Sequence, residues 1–118
     1  CPSNDCPRCP CGTTKKILNI TEWCIKGSSK YNWNVHNCEC IITHESSGDE
    51  YAMNYNSNES FDVGLWQINT INWNDCSSGK APCNATLNMG CAQDVYRWGD
   101  YTWKLWSTCN ICGCCSQH

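Results

Sequence analysis

Apolar residues recur at helical spacing in the first third of the chain. The segment from Thr13 to Lys26 carries them at Ile17, Ile20, Trp23 and Cys24. The dipeptide Lys26-Gly27 that follows is typical of a helix end. This pattern predicts a first helix over residues 13–26.

Two further helices are predicted by the same spacing. The second runs from about Asn34 to Glu45, with one face formed by Cys38, Ile41, Ile42 and Glu45. Glu45 then belongs to the last turn, on or beside the buried stripe. The third begins near Asn88 and contains Cys91, Ala92 and Val95. Beyond it, Trp103 and Trp106 are three residues apart, which predicts one face of a short helical turn.

Between the second and third helices the pattern changes to that of a hairpin. Residues 51–55 and 60–65 have strand-like character, and the turn-forming residues 56–59 separate them. Helices, a small antiparallel sheet and further helices predict an α+β fold, in which a helical lobe and a small β-hairpin lobe enclose a cleft. No internal repeat or Gly/Ser linker interrupts the chain, so residues 1–118 are predicted to form a single domain.

The cysteine content narrows the class of protein. Fourteen of the 118 residues are cysteine, concentrated in terminal segments 1–12 and 109–118, which predicts a disulfide-rich scaffold formed in an oxidising compartment. We expect a secreted or lumenal protein with seven disulfides, whose numbering starts on a mature N-terminus. Glycosylation sequons at Asn19, Asn58 and Asn84 agree with that route. Zinc bound by the closely spaced terminal cysteines is the less favoured alternative.

Net charge and hydropathy argue against nucleic-acid-binding, membrane-surface and membrane-spanning proteins. The net charge is −3 without a block of like charges, which argues against nucleic-acid or membrane-surface binding. No stretch approaches 18 apolar residues, so no membrane span is predicted.

Two carboxylates carry the candidate chemistry. Glu45 lies in His-Glu-Ser-Ser-Gly and Asp62 opens Asp-Val-Gly-Leu-Trp-Gln-Ile-Asn, 17 residues later. A helix end would then face a hairpin, so one carboxyl can lie in apolar surroundings and stay protonated while the other, among polar groups, stays ionised. Two such carboxyls on either side of one bond are what glycoside cleavage requires. Each alone would more often be a solvated surface charge.

The segment from Cys40 to Trp73 contains Cys40, Glu45-Ser46, Ala52, Asn54, Asn56, Ser60, Asp62, Gly64, Gln67-Ile68-Asn69 and Trp73. With these residues in this order, the segment resembles the active-site half of a C-type (chicken-type) lysozyme. Later, Cys91-Ala92 and Trp103-Lys104-Leu105-Trp106 ahead of Cys109 are similar to the third helix and paired tryptophans of that family.

The resemblance implies roles for these residues. Glu45 is expected to be the general acid and Asp62 the nucleophile or ion-stabilising partner, the pattern for which lysozyme is the type case. Trp103 is expected to cover the acid and Trp73 to form an aromatic wall of the sugar groove. Asn54, Asn56, Gln67 and Asn69 are the remaining candidate substrate-binding residues, with Asn56 and Asn69 beside the aspartate.

Several positions depart from the family pattern. Position 72 is Asn where well-known members have a second groove tryptophan, which predicts a weaker outer subsite. Cys76, Cys83 and Cys91 stand where the family often has four cysteines, so one of them must pair outside the group. We further expect a Cys40–Cys109 bridge and a bridge between residues 1–11 and 109–115. No Asp-rich calcium loop precedes the third helix, so neither a metal nor another cofactor is predicted.

The resemblance favours a retaining muramidase, a monomer acting on peptidoglycan or a chitin-like oligosaccharide. A lytic transglycosylase is the first alternative, but it uses one Glu without an aspartate partner. A non-catalytic sugar-binding relative is the second, but such relatives often lose the acid. We expect the protein to be extracellular or in a phagolysosomal lumen, with a digestive or antimicrobial role.

The charge of the chain predicts an acidic activity optimum. The sequence pI is about 5.4, and Asp49, Glu50 and Glu59 are close in sequence to the carboxyl pair. As pH falls towards the pI, repulsion from anionic cell walls declines while the acid stays protonated. We therefore expect a maximum at about pH 4–6 in a pH–rate profile on whole cell walls at fixed ionic strength. An optimum at or above neutrality would contradict this prediction.

Overall fold

Residues 9–118 are described by a computed structural model of the chain. The principal helices are α1 (Ile20–Tyr31), α2 (Val35–Glu45) and α4 (Ala85–Trp98), with single turns α3 (Trp73–Cys76) and α5 (Cys109–Cys112). The strands are β1 (Met53–Tyr55), β2 (Phe61–Val63) and β3 (Ile68–Asn69), and a 3₁₀ turn covers Thr70–Asn72. The predicted α+β fold, with a helical part and a small antiparallel sheet, is confirmed.

Helix α1 does not lie where the apolar pattern placed it. Asn19 caps its start by accepting a hydrogen bond from the Glu22 amide, and it ends at Asn32, whose φ is 57°. Gly27, interpreted from the sequence as a stop, lies inside the helix. A Cβ on Gly27 would be 2.2 Å from Trp33 Cζ2, so glycine is required there for close packing and not for helix termination.

Side-chain caps also define the other two long helices. Asn34 caps α2 by accepting from the Asn37 amide, and α2 ends at Glu45, which confirms the prediction that this residue is in the last turn. Asn84 caps α4 by accepting from the amides of Thr86 and Leu87. Helix α4 therefore begins three residues before the predicted start at Asn88.

The sheet is three-stranded and antiparallel, in the order β1-β2-β3. Its register places Asp62 of β2 opposite Asn54 of β1 on one side and Asn69 of β3 on the other. Directly opposed residues project from the same face of a sheet. The candidate carboxylate is thus at the centre of a face whose neighbouring strands supply amide side chains.

Strands β2 and β3 are joined by a turn that is entirely buried. Residues 64–67 are all buried, with positive φ at Gly64 (81°) and Gln67 (50°). Asn88 of α4 meets this turn: its Oδ1 accepts from the Trp66 amide at 2.9 Å, and its Nδ2 donates to the carbonyls of Val63 (2.8 Å) and Pro82 (2.9 Å). A Cβ on Gly64 would be 2.1 Å from that Nδ2, so only glycine fits.

Aromatic rings fill the helical side of the core. Trp33, Trp66, Tyr96 and Trp103 are each at most 2% exposed, and Trp33 lies 5.0–5.8 Å from the other three ring centroids. Trp103 also packs on Trp106 at 5.1 Å, in a turn closed by a hydrogen bond from the Trp106 amide to the Trp103 carbonyl. The described part of the chain contains no helix long and apolar enough to cross a bilayer.

Disulfides connect the elements in pairs. Cys24–Cys38 joins α1 to α2, Cys40–Cys112 joins α2 to α5, and Cys76–Cys91 joins α3 to α4. The remaining described pairs are Cys11–Cys83 and Cys109–Cys115, and Cys9 is also disulfide-bonded. The prediction that one of Cys76, Cys83 and Cys91 pairs outside their group is confirmed.

Three other disulfide predictions are wrong. Cys40 pairs with Cys112 and not with Cys109, because Cys109 bonds Cys115 across the short helix α5. With Cys112 held by α2 and Cys114 a buried free thiol, none of the four C-terminal cysteines bridges to residues 9–11. The free thiol also excludes seven disulfides. The part of the predicted N-terminal segment that precedes Cys9 lies outside the described residues.

The buried position of Asn88 generates a stability prediction. Asn88→Ala leaves one amide and two carbonyls without their partner, and each unsatisfied buried group is costly. We expect the free energy of unfolding to fall by about 3–5 kcal/mol, measured by calorimetry or denaturant titration. Asn110→Ala, at an exposed position, is the control. A loss below about 1 kcal/mol for Asn88→Ala would show that the turn does not depend on this side chain.

Candidate active site

Glu45 is presented at the C-terminal end of α2, where the helix meets the buried turn. The next residue, Ser46, donates its hydroxyl to the Leu65 carbonyl at 2.8 Å, while its amide donates to the Ile42 carbonyl. The helix end is therefore fixed both to its own last turn and to the segment between β2 and β3. Glu45 faces the sheet from this fixed position.

The surroundings of Glu45 favour its protonated form. The side chain is partly buried, and Oε2 accepts a hydrogen bond from Thr108 Oγ1 at 2.8 Å. Burial is the largest influence and raises the pKa of Glu45 above its ordinary value; Thr108 lowers this pKa, the Asp62 charge raises it and His44 lowers it. Desolvation dominates, so the net direction is upward.

Asp62 has the opposite kind of environment. Its Oδ1 accepts from Asn69 Nδ2 at 2.8 Å and its Oδ2 from Asn56 Nδ2 at 3.0 Å. Both carboxylate oxygens are therefore bound by amide donors, one from β3 and one from the turn after β1. Such donors stabilise an ionised carboxylate.

Ser60 orients both of these amides. Its Oγ accepts from Asn56 Nδ2 at 3.0 Å and from Asn69 Nδ2 at 3.2 Å, and it donates to Asn58 Oδ1 at 2.6 Å. Ser60 lies immediately before β2 and precedes Asp62 by two residues, the spacing of residues that project from one face of a strand. This role was not predicted, although alternation along the strand could have indicated it.

One cavity of about 250 Å³ contains both carboxyls. Its polar lining residues are Glu45, Asp62, Gln67, Asn69, Asn72 and Ser107. Its apolar lining residues are Ile68, Val95, Leu105 and Trp106. These apolar residues were not predicted to be part of the site, because they come from β3, α4 and the loop before α5, which only the fold brings together.

The other predicted binding residues have different degrees of access. Gln67 lines the cavity and is braced, since its Nε2 donates to the carbonyls of Ala52 and Gly64 at 3.0 Å. Its Oε1 accepts from Asn54 Nδ2 at 2.8 Å, so the exposed Asn54 acts here through Gln67. Asn56 and Asn69 bind Asp62 directly, as described above.

The two tryptophans predicted for the site are less accessible than expected. Trp103 is fully buried in the aromatic core, with Nε1 donating to the His118 carbonyl, so it has no surface to offer a ligand. Trp106 lines the cavity instead, because its Nε1 donates to the Trp66 carbonyl at 2.9 Å and this fixes the ring against the buried turn. Trp73 is 9% exposed, with Nε1 donating to the Ile68 carbonyl and its ring stacked on Phe61.

The acidic residues expected to surround the carboxyl pair are engaged elsewhere. Glu50 is buried, lies 3.2 Å from Lys16 Nζ and accepts from the Ala85 amide at the start of α4. Asp49 Oδ1 accepts from the amides of Lys16 and Tyr51. The charged groups that shift the pKa of Glu45 are Asp62 and His44, and neither Asp49 nor Glu50 is among them.

Cys40, His44 and Cys112 form a possible metal-ligand cluster in the described residues, with their ligand atoms within 4.8 Å of one another. The two sulfur atoms belong to one disulfide, which leaves no thiolate to bind a metal. His44 is exposed, as expected for a residue one helix step from Glu45. The carboxyls that line the cavity are thus Glu45, whose pKa is raised by burial, and Asp62, whose two oxygens accept hydrogen bonds from amides.

Comparison with known proteins finds similarity to lysozymes. A family model described as a lysozyme-like domain matches residues 33–108. The chain is 35% identical over 99 residues to "Putative lysozyme C-2" of Rattus norvegicus, covering 69% of this chain and 62% of that protein. It is 36% identical over 89 residues to "Lysozyme" of Bombyx mori, covering 59% and 62%. The chain thus spans about three-fifths of the length of these two relatives.

A solved structure shares the fold. The crystal structure of a lysozyme from Litopenaeus vannamei superimposes with a TM-score of 0.57 at 27% sequence identity, covering 80% of this chain and 86% of that one. Similarity therefore extends beyond the segment that contains the two carboxyls.

The raised pKa of Glu45 predicts how the stability of the fold depends on pH. The folded state binds the Glu45 proton more tightly than the unfolded state, so the stability of the wild type should fall as pH rises from the unfolded pKa through the folded pKa. Glu45→Gln removes this penalty. The melting temperature of Glu45→Gln minus that of the wild type should therefore increase as pH rises from the unfolded to the folded pKa of Glu45, and should stay constant at higher pH. Calorimetry at matched ionic strength measures this difference.

Glu59→Gln is the matched control, since it removes the same charge from an exposed turn. A difference between Glu45→Gln and wild type that does not change with pH would contradict a buried, proton-retaining Glu45.

Proposed function

Because the chain belongs to the lysozyme-like domain family, we propose that it is a glycoside hydrolase with muramidase activity. The bond cleaved is the β-1,4 linkage between N-acetylmuramic acid and N-acetylglucosamine in peptidoglycan, with retention of configuration. The observation that supports this most strongly is the pair of carboxyls in one cavity, Glu45 with a raised pKa and Asp62 bound by two amides.

In this mechanism Glu45 is the general acid. It begins protonated because burial raises its pKa, and it transfers that proton to the glycosidic oxygen as the bond to the anomeric carbon breaks. The leaving sugar departs as an alcohol, and Glu45 becomes a carboxylate. The same carboxylate then removes a proton from the water that completes hydrolysis, which restores the acid.

Asp62 acts on the opposite side of the sugar. As the glycosidic bond breaks, positive charge develops at the anomeric carbon, and the ionised Asp62 either stabilises that charge or bonds to the carbon. The amides of Asn56 and Asn69 hold the carboxylate in a fixed orientation before substrate arrives. This pre-organisation reduces the reorganisation required in the transition state.

The cavity suits an amino-sugar chain. Gln67, Asn69 and Asn72 present amide groups to hydroxyl and acetamido groups, while Val95, Leu105 and Trp106 offer apolar surface to the C–H faces and methyl groups of such sugars. Peptidoglycan and chitin-like oligosaccharides share these features. Position 72 has Asn in place of the second groove tryptophan of the family. Because Asn72 lines the cavity, this position can still contribute a polar contact.

The two alternatives fit the site less well. A lytic transglycosylase needs one acid and no ionised partner, whereas here the amides of Asn56 and Asn69, both also bound to Ser60 Oγ, donate to the two oxygens of Asp62. A sugar-binding relative without activity has no use for a carboxyl kept protonated by burial.

We propose a monomeric protein that needs no metal or other cofactor. We further propose that it is secreted or lies in a phagolysosomal lumen, since the described disulfides suit an oxidising compartment.

Replacing each carboxyl tests the assignment. Glu45→Gln keeps the shape and removes the acidic proton, so cell-wall cleavage should fall by at least about a hundredfold. Asp62→Asn should lose about a hundredfold or more, since the developing positive charge lacks its anionic partner. Glu59→Gln should keep wild-type activity. Near-normal cleavage by Glu45→Gln, with its fold verified by circular dichroism, would refute the role of Glu45.

The products of peptidoglycan digestion distinguish a hydrolase from a lytic transglycosylase and from a non-catalytic sugar-binding relative. Mass analysis of peptidoglycan digested by the wild type should give reducing ends. Products with 1,6-anhydro ends would indicate a transglycosylase, and binding without cleavage would indicate a non-catalytic relative.

A further inference from the structure

Thr108 does not use its hydroxyl in the way expected from its position. It immediately precedes helix α5, where a threonine side chain ordinarily accepts a hydrogen bond from a backbone amide of the first turn. Thr108 makes no such capping bond. Its Oγ1 instead donates to Oε2 of Glu45, 63 residues away in the chain, at 2.8 Å. A local stabilising contact is replaced by a long-range contact with the candidate acid.

The structure fixes Thr108 relative to the helix that carries Glu45. The Cys112 amide donates to the Thr108 carbonyl at 3.2 Å, and Cys112 is disulfide-bonded to Cys40 of α2. Cys40 precedes Glu45 by five residues on the same helix. The donor and the acceptor of the hydrogen bond are thus carried by two helices that share a covalent link.

We propose that Thr108 is a positioning residue for the acid: its hydroxyl occupies Oε2 of Glu45, so that the proton for the leaving group is carried by Oε1. This inference rests on the proposed hydrolase function and adds a determinant of its proton transfer. It differs from the expectation drawn from the sequence, in which Trp103 was the residue that acted on the acid.

The hydrogen bond has an effect in both states of Glu45. While Glu45 is protonated, an occupied Oε2 leaves Oε1 to hold the proton. When that proton moves to the glycosidic oxygen, the electron pair of the O–H bond stays on the carboxylate, and Thr108 stabilises the new charge through Oε2. Thr108 therefore opposes part of the desolvation penalty at the moment when the acid ionises.

Two charged groups also act on Glu45 from the elements around it. Asp62 faces it from β2, and His44 is its neighbour on α2. The wall formed by β3, α4 and the loop before α5 contributes Asn69, Val95 and Leu105, which do not ionise. A substitution at Thr108 changes neither Asp62 nor His44, so its effect on titration can be assigned to the hydrogen bond.

The test compares Thr108→Val, which keeps the branched shape without a donor, with Thr108→Ser, which keeps the donor. For Thr108→Val we expect the alkaline limb of the pH profile of kcat on a peptidoglycan fragment to move to higher pH, because a pKa-lowering partner is lost, and the plateau to fall roughly three- to tenfold. Thr108→Ser should keep the wild-type limb. Thr43→Val is the control, since this hydroxyl bonds the Glu39 carbonyl of its own helix.

The ionisation of Glu45 can also be titrated without substrate, and this measurement does not depend on the proposed activity. The Glu45 carboxyl carbon, followed by ¹³C NMR, should titrate at higher pH in Thr108→Val than in wild type and return in Thr108→Ser. If Thr108→Val does not fold, Thr108→Ala removes the same donor with a smaller side chain. A midpoint and alkaline limb unchanged by loss of the hydroxyl would overturn the proposal, even if activity fell at every pH, because that result describes a structural role alone.

If the wild type cleaves no peptidoglycan, the proposed function fails. The NMR titration then still decides whether Thr108 controls the proton of Glu45.

Discussion

The buried turn of residues 64–67 is the constraint on which the site depends. Backbone polar groups in a turn removed from water need partners, and side chains from three different elements bind three of them. Asn88 of α4 binds the Trp66 amide, Ser46 beside Glu45 binds the Leu65 carbonyl, and Trp106 binds the Trp66 carbonyl. The same contacts that satisfy the turn therefore bring α2, α4 and the Trp106 loop around one end of the sheet.

The unequal environments of the carboxyls follow from this arrangement. Glu45 ends a helix whose C-terminal turn packs against the buried segment, so its carboxyl is partly removed from water and its pKa rises. Asp62 lines the same cavity from β2, where the residues opposite it in the neighbouring strands are Asn54 and Asn69. The burial of the helix end and the polar neighbours on the sheet are enough to give the two carboxyls different environments. No cofactor is needed to distinguish them.

Local signals in the sequence predicted the elements that bear the carboxyls. Helix α2 has both a clear apolar stripe and an Asn cap, and the hairpin has a run of turn residues, so Glu45 and Asp62 were placed correctly on them. Features set by tertiary contacts were not predicted. Gly27 was interpreted as a helix stop because its contact with Trp33 is invisible in the local pattern. The Cys40–Cys112 pairing and the Thr108 contact depend on the orientation of α5, for which a four-residue helix gives no periodicity.

The configuration of the first product tests the central claim most directly, because it reports on both carboxyls in one reaction. A chitin or peptidoglycan oligosaccharide would be cleaved in an NMR tube and the anomeric protons followed before mutarotation. If Glu45 acts as the acid and Asp62 as the partner on the opposite face, the newly formed reducing end appears first as the β anomer. Initial release of the α anomer, or of a 1,6-anhydro sugar, would contradict the account.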